Sequence, residues 1–231
     1  MRKLATISKS ACPPWQPDTR SRQTGANDLP TSSAHASYTT PRDTIRSAEL
    51  TVLFSDVRDF TSIAEQMPAA ALAELINDYL SIMTDIIRQY RGTLDKYIGD
   101  AVVAFWGAPL ADPLHARNAV AAALAMQAVL PELNRRLAGH GWPALHIGIG
   151  INTGSMVVGD LGSRHRRAYT VLGDAVNLAS RLQGLSAQYA AGVIIGESTR
   201  LAIADWPCRL LDRVVVRGRS ASVSIYEPLD G

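Results

Sequence analysis

The stretch LDKYIGDAVVAFW, at residues 94–106, places two β-prone runs on either side of an Ile-Gly-Asp corner. This corner predicts a β-hairpin, because glycine supplies the backbone angles of a tight turn and aspartate tolerates them. The hairpin would hold the carboxylate of Asp100 at its tip. A second stretch, TVLFSDVRDFT at residues 51–61, runs a short apolar strand into Asp56. Two carboxylates at neighbouring strand ends can share a divalent metal ion.

The composition indicates a globular domain without a strong charge. The 231 residues are 47% apolar, and no apolar run approaches the roughly 18–20 residues that cross a bilayer. A net charge of +2 gives no reason to expect nucleic acid as a partner. Cys12 and Cys208 stand far apart without metal-ligand spacing, so no disulfide framework or zinc site is expected. We expect a cytoplasmic protein with no membrane segment.

The first 48 residues differ in character from the rest of the chain. They are rich in Ser, Thr, Pro and Arg and show no sustained apolar period. We expect a flexible, disordered arm over residues 1–48 and one folded domain over residues 49–231. A tether, a partner-binding segment and a remnant of a longer architecture are all open as roles for the arm.

Within the domain, strand patterns and helix patterns alternate. Three local signals mark boundaries: Gly92 as the end of a long amphipathic helix, Asp112 as a helix cap, and Pro131 as a kink or split. The expected elements are a strand at 50–54, a helix entry at 59–62, a helix at 69–90, the hairpin, a helix at 113–138, strands at 145–152, 156–161 and 167–172, a helix at 175–188, a strand at 193–195, a short helix from 197, and strands at 214–216 and 223–226. This order predicts an α+β sheet covered by helices.

Four stretches in register make the chain from Leu50 to Pro228 resemble the catalytic domain of the class III nucleotidyl cyclases, the adenylate and guanylate cyclases. They are FSDVRDFT at 54–61, DKYIGD at 95–100, YTVLGDAVNLASR at 169–181 and VRGR at 216–219. The resemblance implies an α+β fold with a ferredoxin-like βαββαβ core and a mostly antiparallel sheet. It does not extend to the predicted arm.

The resemblance implies a reaction in which the ribose 3′-oxygen of ATP attacks the α-phosphate and expels pyrophosphate. Two divalent ions per site, Mg²⁺ or Mn²⁺, neutralise charge around that phosphorus. The resemblance assigns the metal ligands to the carboxylates of Asp56 and Asp100 and the backbone carbonyl of Val57. It places three backbone amides around the terminal phosphates: those of Asp59, Phe60 and Thr61.

The resemblance also implies roles for two residues on a predicted helix and for one residue near the C-terminus. Asn177 and Arg181 stand four residues apart, and so share one helix face. The resemblance implies that Asn177 orients the ribose and that Arg181 stabilises charge on the phosphoryl oxygens. Arg217 stands where the family usually has a lysine on the triphosphate. An arginine keeps the charge but is a planar fork, so the phosphate geometry would differ.

Lys96 and Thr170 occupy the positions that read the base in this family. The resemblance implies Lys with Asp or Thr in adenylate cyclases and Glu with Cys in guanylate cyclases. Lys can donate to adenine N1, and a guanine in the same site would mismatch a polar group at a cost of ~1–3 kcal/mol. The sequence therefore favours ATP. Thr170 is typical of the bacterial and soluble-type branch, which is often associated with bicarbonate regulation.

The family builds each active site from two catalytic domains, and this chain contains both sets of residues. The metal aspartates come from one domain, and the base-reading and charge-stabilising residues come from its partner. A head-to-tail homodimer with two shared sites is thus implied. Two alternatives are open: a guanylate cyclase, which Lys96 opposes, and a catalytically silent dimeric nucleotide-binding or regulatory module, which the Arg217 departure leaves open.

Overall fold

The structure is a computed structural model that describes residues 45–216 and 221–229. In this part of the chain, five helices cover an eight-stranded, mostly antiparallel sheet. The elements are β1 (Arg46–Val57), α1 (Phe60–Glu65), α2 (Ala69–Gln89), β2 (Thr93–Ile98), β3 (Ala101–Trp106), α3 (His115–Gly139), β4 (Ile147–Gly162), β5 (Arg167–Leu172), α4 (Asp174–Leu185), β6 (Val193–Gly196), α5 (Glu197–Ala202), β7 (Cys208–Val214) and β8 (Val223–Pro228).

The first four strands and the helices between them form a βαββαβ core. Their order in the sheet is β2-β3-β1-β4, and every neighbouring pair among them is antiparallel. Beyond β4 the sheet continues as β6-β8-β7, with β4 and β6 parallel, while β5 pairs with the last third of β4. The expected α+β fold with a ferredoxin-like core is confirmed.

The first strand is longer at both ends than the sequence pattern predicted. A strand was predicted over residues 50–54, whereas β1 begins at Arg46, because all of it pairs with β4 and its second half also pairs with β3. Folded structure therefore starts before the boundary predicted at residue 49, and the rest of the predicted arm lies outside the described residues. Asp56, expected in a turn, lies inside the strand opposite Gly148.

The predicted break at Thr153-Gly154 is wrong, because β4 is one strand of 16 residues. Its pairing with β1 continues through this point, with Gly154 opposite Leu50. The glycine serves packing here: a Cβ at Gly154 would lie 3.1 Å from the Cβ of Ala175 at the start of α4. The local turn signal is overridden by strand pairing.

Three helix signals also need correction. Pro131 lies inside α3 and does not split it. α2 ends at Gln89, and Arg91, at φ 65°, rather than Gly92 adopts the left-handed conformation that follows the helix. Gly92 is required for a different reason, since a Cβ there would lie 2.7 Å from the Trp106 ring. The cap predicted at Asp112 is also displaced: α3 begins at His115 with Leu114 as its N-cap residue and no side-chain cap, and Asp112 accepts the Leu114 N–H at 3.0 Å in the turn before the helix.

Both faces of the sheet are buried at the second half of β1, which explains the apolar density of that strand. Leu53 and Val57 face the layer that contains α2 and α3, while Leu50 and Val52 face the side where α4 packs. The second half of β1 is thus packed on both faces and paired along both edges. Within the described ranges, no helix combines the length and apolarity that a membrane crossing requires.

Candidate active site

Pairing between β1 and β3 brings the two predicted metal carboxylates together. Ser55 pairs with Val102, so the register places Val57 opposite Asp100, the turn residue just before β3. The Val57 N–H donates to Asp100 Oδ2 at 3.1 Å. Asp56 lies across the same pair of strands, close enough to Asp100 for interaction between the two carboxyl groups to raise its pKa. We call the carboxylates of Asp56 and Asp100, with the Val57 backbone that contacts them, the carboxylate pair.

Close approach of the two carboxylates perturbs the titration of Asp56. Burial, the hydrogen bond to Asp100 and repulsion by its charge raise the pKa of Asp56 to about 7, with the Val57 N–H opposing them. Beneath the pair lies the fully buried phenol of Tyr79, 3.5 Å from Ser55 Oγ. Burial and the charges of the two aspartates raise the pKa of Tyr79. The sequence pattern assigned Tyr79 only to the apolar face of a helix.

The raised pKa of Asp56 predicts that this carboxylate destabilises the metal-free fold at neutral pH. The folded state holds the proton more tightly than the unfolded state, so the contribution of Asp56 to stability falls as pH rises from about 4 to about 7. We expect Asp56→Asn to raise Tm by a few °C at pH 8 in the presence of a metal chelator. This corresponds to a gain of about 1–2 kcal/mol in the free energy of unfolding, after discounting for the partial solvent exposure of Asp56. At pH 4 the gain should nearly vanish.

The matched control for this measurement is Asp78→Asn, since Asp78 is exposed on α2. Its Tm should change little at either pH. A lower Tm for Asp56→Asn at pH 8 would contradict the assignment of repulsion within the carboxylate pair.

Lys96 and Thr170, the two residues predicted to read the base, lie in contact. Lys96 Nζ donates to Thr170 Oγ1 at 3.2 Å, and Thr170 Oγ1 donates to Asp95 Oδ2 at 2.8 Å. An ion pair of 3.5 Å between Lys96 Nζ and Asp95 Oδ1 completes a three-residue cluster, which we call the base cluster after the role predicted for Lys96 and Thr170. The Asp95 side chain is 2% exposed and the Lys96 side chain is 47% exposed.

A β-bulge explains why two consecutive residues reach the same hydroxyl. Leu94 pairs with Ala104 but Lys96 pairs with Val103, so Asp95 is an extra residue in β2. The bulge breaks the alternation that would send neighbouring side chains to opposite faces. Burial raises the pKa of Asp95, against the hydrogen bond from Thr170 and the charge of Lys96. Sequence reasoning missed Asp95, since the register that creates the bulge is not visible in the pattern.

Asn177 and Arg181 lie on α4, which packs closely on β4. A Cβ at Gly150 would lie 2.1 Å from the backbone nitrogen of Gln183, so glycine permits this approach. Asn177 is exposed and Arg181 is half-buried. Arg181 Nη1 is buried and has no hydrogen-bond partner among the described residues. A buried guanidinium donor in this state is suited to an incoming oxygen.

The remaining predicted positions lie at the start of α1 and near the C-terminus. Asp59 precedes α1 with φ 55° and makes no side-chain cap, and Phe60 and Thr61 open the helix. Amides in the first turn lack acceptors within their own helix. Arg217 lies outside the described residues. Arg58, a motif residue to which the resemblance assigns no role, donates to the carbonyl oxygens of Ser186 and Ala191 at 3.2 and 3.0 Å. These bonds fix the residue after β1 to the segment that follows α4.

Comparison with known proteins identifies relatives of this arrangement. The family model for the adenylate and guanylate cyclase catalytic domain matches residues 43–226. The chain is 40% identical over 187 residues to the terminal-differentiation-specific adenylate cyclase of Dictyostelium discoideum, covering 79% of this chain and 9% of that protein. It is 38% identical over 186 residues to the adenylate cyclase of Anabaena cylindrica, covering 77% of this chain and 36% of that protein. The chain thus spans only about a third or less of the length of these relatives.

Solved structures agree with the family match. The adenylyl cyclase CyaB from P. aeruginosa superimposes with a TM-score of 0.76 at 38% identity, covering 81% of this chain and 97% of that one. The guanylyl cyclase Cya2 gives a TM-score of 0.72 at 34% identity, with coverages of 80% and 93%. Motifs, fold and sequence comparison therefore agree on the family: this chain belongs to the adenylate and guanylate cyclase catalytic domain family.

Proposed function

We propose that the chain is an adenylate cyclase that converts ATP to 3′,5′-cyclic AMP and pyrophosphate. The observation that carries the proposal is the β2–β3 hairpin, which contributes Asp100 to the carboxylate pair and Lys96 to the base cluster. A phosphate-facing group and a base-facing group are the two recognition elements that a nucleotide cyclase needs. The named adenylate cyclases among its relatives support the same reading.

The carboxylate pair fits a site for Mg²⁺ or Mn²⁺. Mg²⁺ commonly takes one or two protein carboxylates and completes its shell with water and phosphate oxygens. The described residues contain no cluster of three or more His, Cys, Asp or Glu side chains, so two carboxylates are what this part of the chain offers. Asp56, Asp100 and the Val57 carbonyl would hold two ions, which supply positive charge next to the reacting phosphate.

The other residues bind and orient the nucleotide. The amides of Asp59, Phe60 and Thr61 face the terminal phosphates, and Arg217 adds charge to the triphosphate. Asn177 orients the ribose, and Arg181 donates to phosphoryl oxygens as charge builds on them. The buried, unpartnered Nη1 of Arg181 supports this role, because such a donor gains most when an acceptor arrives.

We propose that each site is shared by two copies of the chain. Within one chain the described contacts join Asp56, Val57 and Asp100 to one another, and Asp95, Lys96 and Thr170 to one another. Apolar side chains lie exposed close to both groups: Ile98 beside the hairpin turn, and the cross-strand pair Val157 and Leu172 on β4 and β5. A second copy packed head to tail would cover these side chains and complete both sites.

Domain extent, location and regulation follow as parts of the proposal. The family match from residue 43 and the start of β1 at Arg46 support a catalytic domain that begins close to residue 45. A cytoplasmic location remains a prediction, as does an N-terminal arm. Regulation by bicarbonate is proposed from Thr170 alone and can be tested by titrating bicarbonate into the turnover assay.

The proposal is tested by assaying purified protein with Mn²⁺ and ATP or GTP, next to an Asp56→Ala control. We expect cyclic AMP from the wild type, a preference for ATP of about tenfold or more, and background signal from the variant. Preference for GTP would instead favour a guanylate cyclase, a reading that similarity to Cya2 keeps in consideration. A wild-type signal equal to the control would favour a nucleotide-binding module.

Replacing Gly99 should damage metal use and nucleotide use together. Gly99 is the first loop residue of the hairpin and has φ 65°, and a Cβ there would meet nothing within 4 Å. A valine at this position would therefore act through backbone strain alone, which costs about 1–3 kcal/mol of stability. Because the turn positions Asp100 and continues from the strand that carries Lys96, we expect Gly99→Val to raise both the Mn²⁺ requirement and the KM for ATP, about tenfold each.

Gly141 provides a matched control for this variant. It has φ 71° with nothing within 4 Å of an added Cβ, and it follows α3 away from the hairpin. Gly141→Val should lower Tm by a similar amount and leave both kinetic parameters unchanged. If Gly99→Val changed the metal requirement but not the KM, the hairpin would not couple the two groups.

A further inference from the structure

The buried carboxylate of Asp95 has no role in the function proposed above, although it contacts both base-reading residues. Asp95 accepts a hydrogen bond from Thr170 Oγ1 at 2.8 Å and forms an ion pair with Lys96 Nζ at 3.5 Å. Its side chain is 2% exposed, so water does not replace these contacts. The bulge at Asp95 in β2 is the local feature that directs it toward Thr170.

Hydrogen-bond capacity limits what Thr170 can offer to a ligand. A threonine hydroxyl has one proton and two acceptor positions, whereas a carboxylate only accepts. The single proton of Thr170 is donated to Asp95, and one acceptor position receives Lys96 Nζ at 3.2 Å. One acceptor position is left over. Thr170 is thus held as an acceptor, and it is Asp95 that holds it so.

We propose that Asp95 is a positioning residue that selects adenine over guanine by fixing the direction of the Thr170 hydroxyl. This inference rests on the proposed function and names the specificity determinant of the same site. The exocyclic amine of adenine is a donor and matches the remaining acceptor position of Thr170. The O6 atom of guanine is an acceptor and would face another acceptor, which is disfavoured.

Removal of Asp95 should therefore relax base choice rather than abolish binding. In Asp95→Ala the Thr170 hydroxyl is free to rotate and donate to guanine O6. In the nearly isosteric Asp95→Asn, the amide oxygen should turn to the ammonium of Lys96, which only donates, and the NH₂ group to Thr170. Both changes release the Thr170 proton. We expect the preference for ATP over GTP to fall about tenfold in each variant.

The experiment measures dissociation constants by calorimetry for 3′-deoxy-ATP and 3′-deoxy-GTP with Mn²⁺, since neither analogue can cyclise. The proteins are the wild type, the two Asp95 variants, Thr170→Val, and Asp95→Ala combined with Thr170→Val. Asp78→Ala, at an exposed site on α2, is the control and should keep the wild-type ratio. If Asp95 acts through the Thr170 hydroxyl, the double variant should show the same ratio as Thr170→Val alone.

Three outcomes overturn the inference: an unchanged ratio in both Asp95 variants, an Asp95→Ala effect that persists undiminished without the Thr170 hydroxyl, or no adenine preference in the wild type. The second would assign Asp95 to stabilising the bulge. Wild-type turnover of ATP is measured in parallel. Adenine-selective binding without cyclic AMP would refute the proposed activity and leave the base-selection inference standing, so the two failures are distinguishable.

Discussion

Arg181→Ala should lower kcat for ATP by about 10³-fold or more and leave the KM within a few fold of the wild-type value. The proposed contact forms as charge develops on the phosphoryl oxygens, so its loss acts on the transition state rather than on nucleotide binding. The structure supports this expectation because Nη1 of Arg181 is buried without a partner among the described residues, and no hydrogen bond of the resting fold is lost with that nitrogen.

Steady-state kinetics with two companion variants separate charge from geometry. Arg181→Lys keeps the charge but loses the planar fork, so we expect an intermediate kcat. Arg135→Ala, at an exposed position on α3 where Arg135 pairs with Glu132, should match the wild type. A raised KM with unchanged kcat in Arg181→Ala would show that Arg181 contributes only to binding, contrary to the proposed role.

Asp100→Ala should reduce cyclic AMP production by about 10³-fold or more, because the carboxylate pair would lose half of its negative charge toward the metal ions. Alanine also removes the acceptor of the Val57 N–H, which lies 3.1 Å away. A structural effect must therefore be distinguished from loss of metal binding. Asp100→Asn makes this distinction, since its amide oxygen can still accept from Val57 while the charge is gone.

We expect Asp100→Asn to be as inactive as Asp100→Ala and to keep a Tm closer to that of the wild type. Activity is measured across a Mn²⁺ titration, so that weakened metal binding appears as a shifted midpoint. Substantial activity in Asp100→Asn at ordinary Mn²⁺ concentrations would show that Asp100 fixes the hairpin turn to the end of β1 rather than binding metal.

The hairpin was predictable from the sequence because its signals are local. An Ile-Gly-Asp corner between apolar runs encodes the turn, and the structure places Gly99 at positive φ there. The strand order that brings Asp56 beside Asp100 depends on pairing over a distance of 44 residues. The family resemblance implies this strand order, whereas the periodicity of the sequence does not.

Features that depend on strand register were not predictable. Thr153-Gly154 carries a turn signal, yet pairing with β1 continues through it. No local signal marks Asp95, whose side chain is turned inward by the one-residue register shift between β2 and β3. Tyr79 reads as a core residue, and only the packing of α2 under β1 brings its hydroxyl close to Ser55. Each of these three features depends on tertiary structure that the local sequence does not encode.

The central claim is that two copies of the chain share each active site, and mixing two inactive variants tests it most directly. Asp100→Ala lacks a metal ligand and Arg181→Ala lacks the charge-stabilising donor, so in a mixed dimer one site carries both defects and the other carries none. Half of the dimers in an equal, exchanging mixture are mixed, and each has one intact site. We therefore predict recovery of about one quarter of wild-type activity. Activity no higher than that of the separate variants would contradict the shared site.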